Sequence, residues 1–219
     1  MGKHKFSVTL GRKIWMALTG AFLIVFLVIH LLGNLQLLVG EQAFNDYAAL
    51  LAGNPLIKIV APVLYISILV HAIFAAVLTS QNKKARPVGY KVENASANSA
   101  WSSRNMGALG TVLLVFIVVH MQQFWYKFKI APALFGAVKP DSLYDLVYAA
   151  FKSPVYVAIY VVSMLAMGYH LNHGFQSAFQ TLGINHKKYT PAIKKAGTVY
   201  SIVVSLGFAL LPIIVYFFM

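Results

Sequence analysis

The chain contains no cysteine, which excludes disulfides, thiolate-held iron–sulfur clusters and covalent c-type haem attachment. Any metal or cofactor must be held by nitrogen or oxygen. Acid is nearly as scarce: five Asp and Glu stand against 18 Lys and Arg, a formal net charge of +13. The basic residues sit in the connections between apolar runs, where they orient a membrane protein and meet anionic headgroups or an acidic partner, so no nucleic-acid partner is expected. Charge of either sign is rare, at 11% of residues against 59% hydrophobic. A mean hydropathy of +0.72 is too high for an ordinary soluble domain.

What is present is a set of five charge-poor runs, each long enough to cross roughly 30 Å of hydrocarbon. They predict an all-α integral membrane protein, a single bundle of five transmembrane helices over about 13–40, 57–81, 105–127, 153–183 and 196–219. The first run is longer than a signal-peptide core and shows no small-residue cleavage site, so it is expected to be retained. The connection 41–56 carries Glu41, Asp46 and Pro55, 82–104 is polar with Pro87, and 128–152 holds Pro140 and room for a short surface helix. The connection 184–195 is short and basic.

Four of these runs each carry a histidine with almost no other charge nearby: His30 in FLVIHLLGN, His71 in SILVHAIFA, His120 in FIVVHMQQF and His170 in MGYHLNHGF. One such histidine is often only a hydrogen-bonding group between helices. Four, one per helix, point to paired use, because burying polar groups without a task is costly.

The count of Lys and Arg by side sets the orientation. Thirteen lie on the side of the N-terminus, among them Lys3, Lys5, Arg12, Lys13, Arg86, Lys91, Arg104 and Lys187, against five on the other, where four of the five acids also lie. The N-terminus is therefore expected in the cytoplasm and the C-terminus outside. At 1.5 Å per residue, His30 and His120 lie roughly 22 to 26 Å from the cytoplasmic end, and His71 and His170 roughly 15 to 20 Å from it. Depth alone couples His30 with His120 and His71 with His170, one site above the other.

Zinc prefers four protein ligands and copper sites usually add sulfur, so two imidazoles per level suit neither. A haem iron brings four equatorial nitrogens and needs two axial ligands; with both supplied it moves electrons and does not activate oxygen. Gly20, Gly107, Gly110 and Gly168 allow a flat macrocycle close to the backbone, or equally serve ordinary helix packing.

The runs SVTLGRKIWMALTG and HLLGN, NKKARPVGY, SSRNM, and HGFQSAFQTLGINHKKYTP together resemble the membrane anchor of succinate dehydrogenase and fumarate reductase. The match is closest to the single-polypeptide, five-helix, two-haem cytochrome b558 branch, and it covers most of the chain, weakly over 128–152 and the last helix. The resemblance implies two b-type haems, the inner held by His71 and His170 and the outer by His30 and His120. His170 is favoured over His173 because it stands four residues before Gly174, as the family's ligand does before its glycine; His173 then becomes a propionate or supporting partner. The resemblance further implies an iron–sulfur subunit and a flavoprotein subunit on the cytoplasmic face, a low-potential quinone such as menaquinone, and residence in the cytoplasmic membrane. Dicarboxylate chemistry would belong to the flavoprotein, since this chain has no dinucleotide fingerprint and no soluble domain to hold a flavin.

A quinone needs hydrogen-bond donors and an acid that relays protons. Near the outer histidines stand Asn34, Gln36 and Glu41, and Gln122, Gln123, Trp125 and Tyr126. Glu41 is the first candidate for quinone protonation and Asp46 the second, although Glu41 reads equally well as a solvated acid. Trp125 and Tyr126 fit the interfacial aromatic belt better. Among Arg12, Lys13, Ser103, Arg104, Lys187 and Lys188, Ser103 and Arg104 stand out as propionate partners because they directly precede a helix and recur in the resemblance. His4 and His186 sit among solvated charges. Two rivals stay open. One is the dihaem anchor of another respiratory oxidoreductase, such as nitrate reductase; the other is a haem-free transporter relaying protons through histidines, for which acidic partners inside the membrane are missing.

Overall fold

The computed structural model describes residues 2–85 and 99–219, with side chains from Thr9 onward. Arg86, Pro87 and Lys91, with most of the NKKARPVGY run's second half, and the side chains of Lys3, His4 and Lys5 lie outside the described residues. Among those described, the chain forms α1 (Gly2–Leu35), a 3-10 turn (Gln36–Leu38), α2 (Glu41–Gly53), α3 (Pro55–Lys84), α4 (Trp101–Arg104), α5 (Met106–His120), a π-helical segment (Met121–Ile130), α6 (Ala131–Phe135), α7 (Leu143–Phe151), α8 (Pro154–Thr181) and α9 (Thr190–Phe218), with no strand. Five stretches are long and apolar enough to cross a membrane: Thr9–Leu38, Pro55–Lys84, Met106–Phe135, Pro154–Thr181 and Thr190–Phe218. The protein is a multi-pass, all-helical membrane protein.

Three of the long helices open with a proline in the first turn, and one of them also with a side-chain cap. Asn54 accepts a hydrogen bond from the Leu56 amide at 2.9 Å, and Pro55 takes the first position, where a missing N–H costs nothing. Ser153 and Pro154 open α8 in the same order. Pro191 stands in the first turn of α9, which begins at Thr190, six residues before the apolar run alone suggests. Lys194 and Lys195 are thus helical but exposed, as long basic side chains reaching for headgroups are. The third span also runs on past residue 127 to Phe135.

α1 packs on α3, α3 on α5, α5 on α8, and α8 back on α1, closing a ring of four helices. The fifth span, α9, lies outside this ring against α8 and α1. Lipid supplies no hydrophobic drive between helices, so close approach depends on small residues. Gly197 faces the Phe175 ring, Gly207 faces Leu31, and a Cβ at either would come within 3 Å of it. Tyr200 donates to the Ile24 carbonyl at 2.6 Å, tying α9 to α1. Outward-facing Val25, Ile59, Leu69 and Val118 are each at least 60% exposed. Such a surface suits acyl chains and not water.

One end of the bundle is capped by two short helices. Where 41–56 suggests only a connection, the chain forms α2, with Phe44, Tyr47, Ala48 and Leu51 at helical spacing. The surface helix expected within 128–152 is α7, capped by Ser142, which accepts from the Asp145 amide at 3.1 Å. Asn45 joins the two, donating to Ser142 Oγ at 3.0 Å and accepting from the Tyr144 amide at 3.1 Å. Beneath them Leu37, Phe44, Val147, Phe151, Tyr160 and Val215 form a buried cluster. The opposite end carries Arg12, Lys13, Lys83, Lys84, Arg104, Lys187 and Lys188 and is the basic end.

Candidate functional site

The four histidines occupy the four ring helices: His30 on α1, His71 on α3, His120 at the end of α5 and His170 on α8. Neighbours around the ring do not pair; diagonals do. The rings of His30 and His120 have centroids 5.8 Å apart, at 85°, near the cap. Those of His71 and His170 are 6.3 Å apart, at 64°, nearer the basic end. The coupling expected from depth is the coupling observed.

These distances have a chemical meaning. A metal–imidazole bond is about 2 Å and the ring centre lies about 1 Å behind the nitrogen, so two imidazoles sharing one metal from opposite sides have centroids roughly 6 Å apart. Among the described residues no three His, Asp or Glu gather as a metal-binding group. The protein thus offers two nitrogens per level, which fits a metal that arrives with its other ligands, as a haem iron does.

Hydrogen bonds to the rings set which nitrogen stays available. Thr19 Oγ1 donates to the Trp15 carbonyl at 2.8 Å, so toward His71 Nδ1, 3.2 Å away, it can only accept. Tyr160 donates to Gln123 Oε1 at 3.0 Å, so toward His120 Nδ1, at 3.1 Å, it likewise accepts. Both rings then carry their proton on Nδ1 and present the Nε2 lone pair, the tautomer a metal ligand needs. Nδ1 of His170 is buried without a partner.

The two levels share their helices. Thr19 stands eleven residues before His30 on α1, and Tyr160 ten before His170 on α8, which at 1.5 Å per residue is about 15 Å. α1 and α8 therefore each give a histidine to one level and a hydrogen bond to a histidine of the other level. Apolar sequence reading misses Thr19 and Tyr160, although their offset from the histidines is a usable signal. At the basic-end level, a Cβ on Gly20 would lie 3.3 Å from His71 Cε1, and one on Gly110 3.7 Å from His170 Cε1. Gly107 faces Thr79 and Gly168 faces Ser205, so those two serve helix packing. At the cap level the imidazoles are walled by aromatics: Phe26 and Phe208 lie 5.1 and 5.5 Å from His30, and Phe116 and Phe124 lie 5.7 and 5.3 Å from His120.

Of the other expected residues, Asn34 spends its amide on the His30 carbonyl at 2.7 Å, and Gln36 on that of Leu32. Gln123 is buried against Tyr160 rather than presented to a ligand. The Trp125 ring packs on Tyr65 at 5.4 Å, and its indole N–H is buried without a hydrogen-bond partner among the described residues. Tyr126 stays 38% exposed. Glu41 and Asp46 are exposed on α2, Asp46 accepting from Gln42 at 2.9 Å. Burial pushes the Tyr144 phenol up, and its neighbours Tyr148, Glu41 and Asp145 add to the shift. Ser103 and Arg104 are exposed in α4, whose Trp101 packs on Tyr169 at 5.5 Å, next to His170. Arg104 binds the Ser99 carbonyl. His173 is half-buried on α8, three residues beyond His170.

In comparisons with known proteins, no family model, no curated protein and no solved structure matches this chain.

Proposed function

We propose that the chain is the dihaem cytochrome b anchor of a succinate:quinone oxidoreductase, a succinate dehydrogenase or fumarate reductase, passing electrons between an iron–sulfur partner and a membrane quinone. The supporting observation is the meeting of four imidazoles as two couples at two depths, 5.8 and 6.3 Å apart by ring centroid. A b-type haem held at each level would supply one-electron transfer. His30 and His120 would hold the outer group, His71 and His170 the inner. Thr19 and Tyr160 fix the ring tautomers.

The basic end faces the cytoplasm in this reading. There Arg12, Lys13, Lys187 and Lys188 dock the iron–sulfur and flavoprotein subunits, while Ser103, Arg104 and His173 serve propionates. At the capped outer end a quinone, menaquinone by resemblance, takes its protons through Glu41 and Asp46, with the unpartnered Trp125 N–H as a donor to one quinone oxygen. The membrane is the cytoplasmic one.

A reduced-minus-oxidised spectrum of the purified chain tests this. Two b-type components are expected, and none at all ends the reading in favour of the haem-free transporter. His71→Ala and His170→Ala should abolish one and the same component, and His30→Ala and His120→Ala the other. Members of one couple striking different components would refute the pairing.

A further inference from the structure

Tyr160 is 5% exposed and Gln123 2% exposed, and together they form a buried polar chain that ends on His120. A phenol and an amide buried at this depth in an apolar bundle are costly unless each hydrogen bond is used. The position of Gln123 follows from the π-helical winding that starts right after His120. In ordinary α-helical winding a residue three positions on would face differently, and π-helical turns concentrate where a side chain must be re-aimed for function. Among the described residues no hydrogen bond to the His30 ring corresponds to this one; that ring stands against those of Phe26, His120 and Phe208.

We infer that Tyr160, anchored by Gln123, is the positioning residue that sets the redox poise of the outer centre through His120. This rests on the dihaem reading. An Nδ1–H that donates to Tyr160 Oη makes the imidazole a stronger electron donor through Nε2, and a stronger axial donor favours the oxidised iron. The hydrogen bond therefore holds the potential of this centre down.

Tyr160→Phe keeps the ring that packs on Phe116 and Phe151 at 4.9 and 5.1 Å and removes only the oxygen. Redox titration of the full chain, followed by optical spectra, should show the component that His120→Ala abolishes moving to higher potential. A hydrogen bond of ordinary net strength is worth roughly a factor of five in an equilibrium, which for one electron is about 40 mV. The component that His71→Ala abolishes should stay in place. Gln123→Leu, which loosens Tyr160 without touching its ring, should move the same component in the same direction by less. It decides the matter if Tyr160→Phe does not fold. Unchanged potentials in whichever of the two variants folds, or a shift of the other component, would overturn the inference while leaving two haems in the unmodified chain. A wild-type chain without haem would overturn the dihaem reading and this inference together.

Discussion

The two histidine couples lie inside one ring of four helices, each couple taking one diagonal pair of them, but they are surrounded by opposite materials. Near the cap the imidazoles stand among Phe26, Phe116, Phe124 and Phe208, with a tyrosine and a glutamine behind one of them. Near the basic end they stand against Gly20 and Gly110, with a threonine behind one. The contrast separates two ways of making room. Bulky rings wall a centre from the side and exclude water, whereas glycines let the backbone itself form the wall, so an added side chain is felt at one level and barely at the other.

The largest effect should come from filling the glycine-lined level. Gly20→Leu places branched carbon where even a Cβ lies 3.3 Å from His71 Cε1. It should abolish or strongly deplete the inner spectral component while the outer survives, and equal loss of both would erase the distinction between levels. Next is the acid at the cap. Glu41→Gln should leave both components intact and slow quinone turnover, on the order of 100-fold if it relays the proton; unchanged turnover removes it from that role. The smallest is Thr19→Val, which deletes one of the hydrogen-bond partners of His71 while keeping the shape and leaving the Met16 backbone as the other. On the dihaem reading it should raise the potential of the inner component, shifting its redox equilibrium by less than the roughly fivefold of a full hydrogen bond, and a shift of the outer one would break the assignment of supports to levels.

The coupling of the histidines was legible because helix rise alone fixes depth, and His30 with His120, like His71 with His170, differ little in it. That the couples are diagonals of a closed ring was not legible, since apolar runs carry no record of which neighbours touch. Nor was the choice among tyrosines on α8: Tyr156, Tyr160 and Tyr169 all sit in apolar surroundings, and only the bundle geometry brings Tyr160 to His120. α2 was hidden by its acids, though Phe44, Tyr47 and Leu51 carried the helical spacing. The start of α9 was hidden by Lys194 and Lys195, whose charge ends the apolar run although the helix already begins at Thr190 with Pro191 in its first turn. Ligand counting pointed to a haem independently of the resemblance to succinate dehydrogenase anchors, and the resemblance added the partner subunits and the quinone as expectations; the ring distances of 5.8 and 6.3 Å are compatible with one metal per couple.

The offset of ten or eleven residues between Tyr160 and His170, and between Thr19 and His30, acts as a length gauge built into α8 and α1. One inserted or deleted residue within either interval would rotate everything beyond it by about 100° and shift it 1.5 Å along the axis, uncoupling a support from its ligand even with every side chain conserved. Tolerance of length change is thereby confined to the connections, and related chains should keep these two intervals constant while their loops drift.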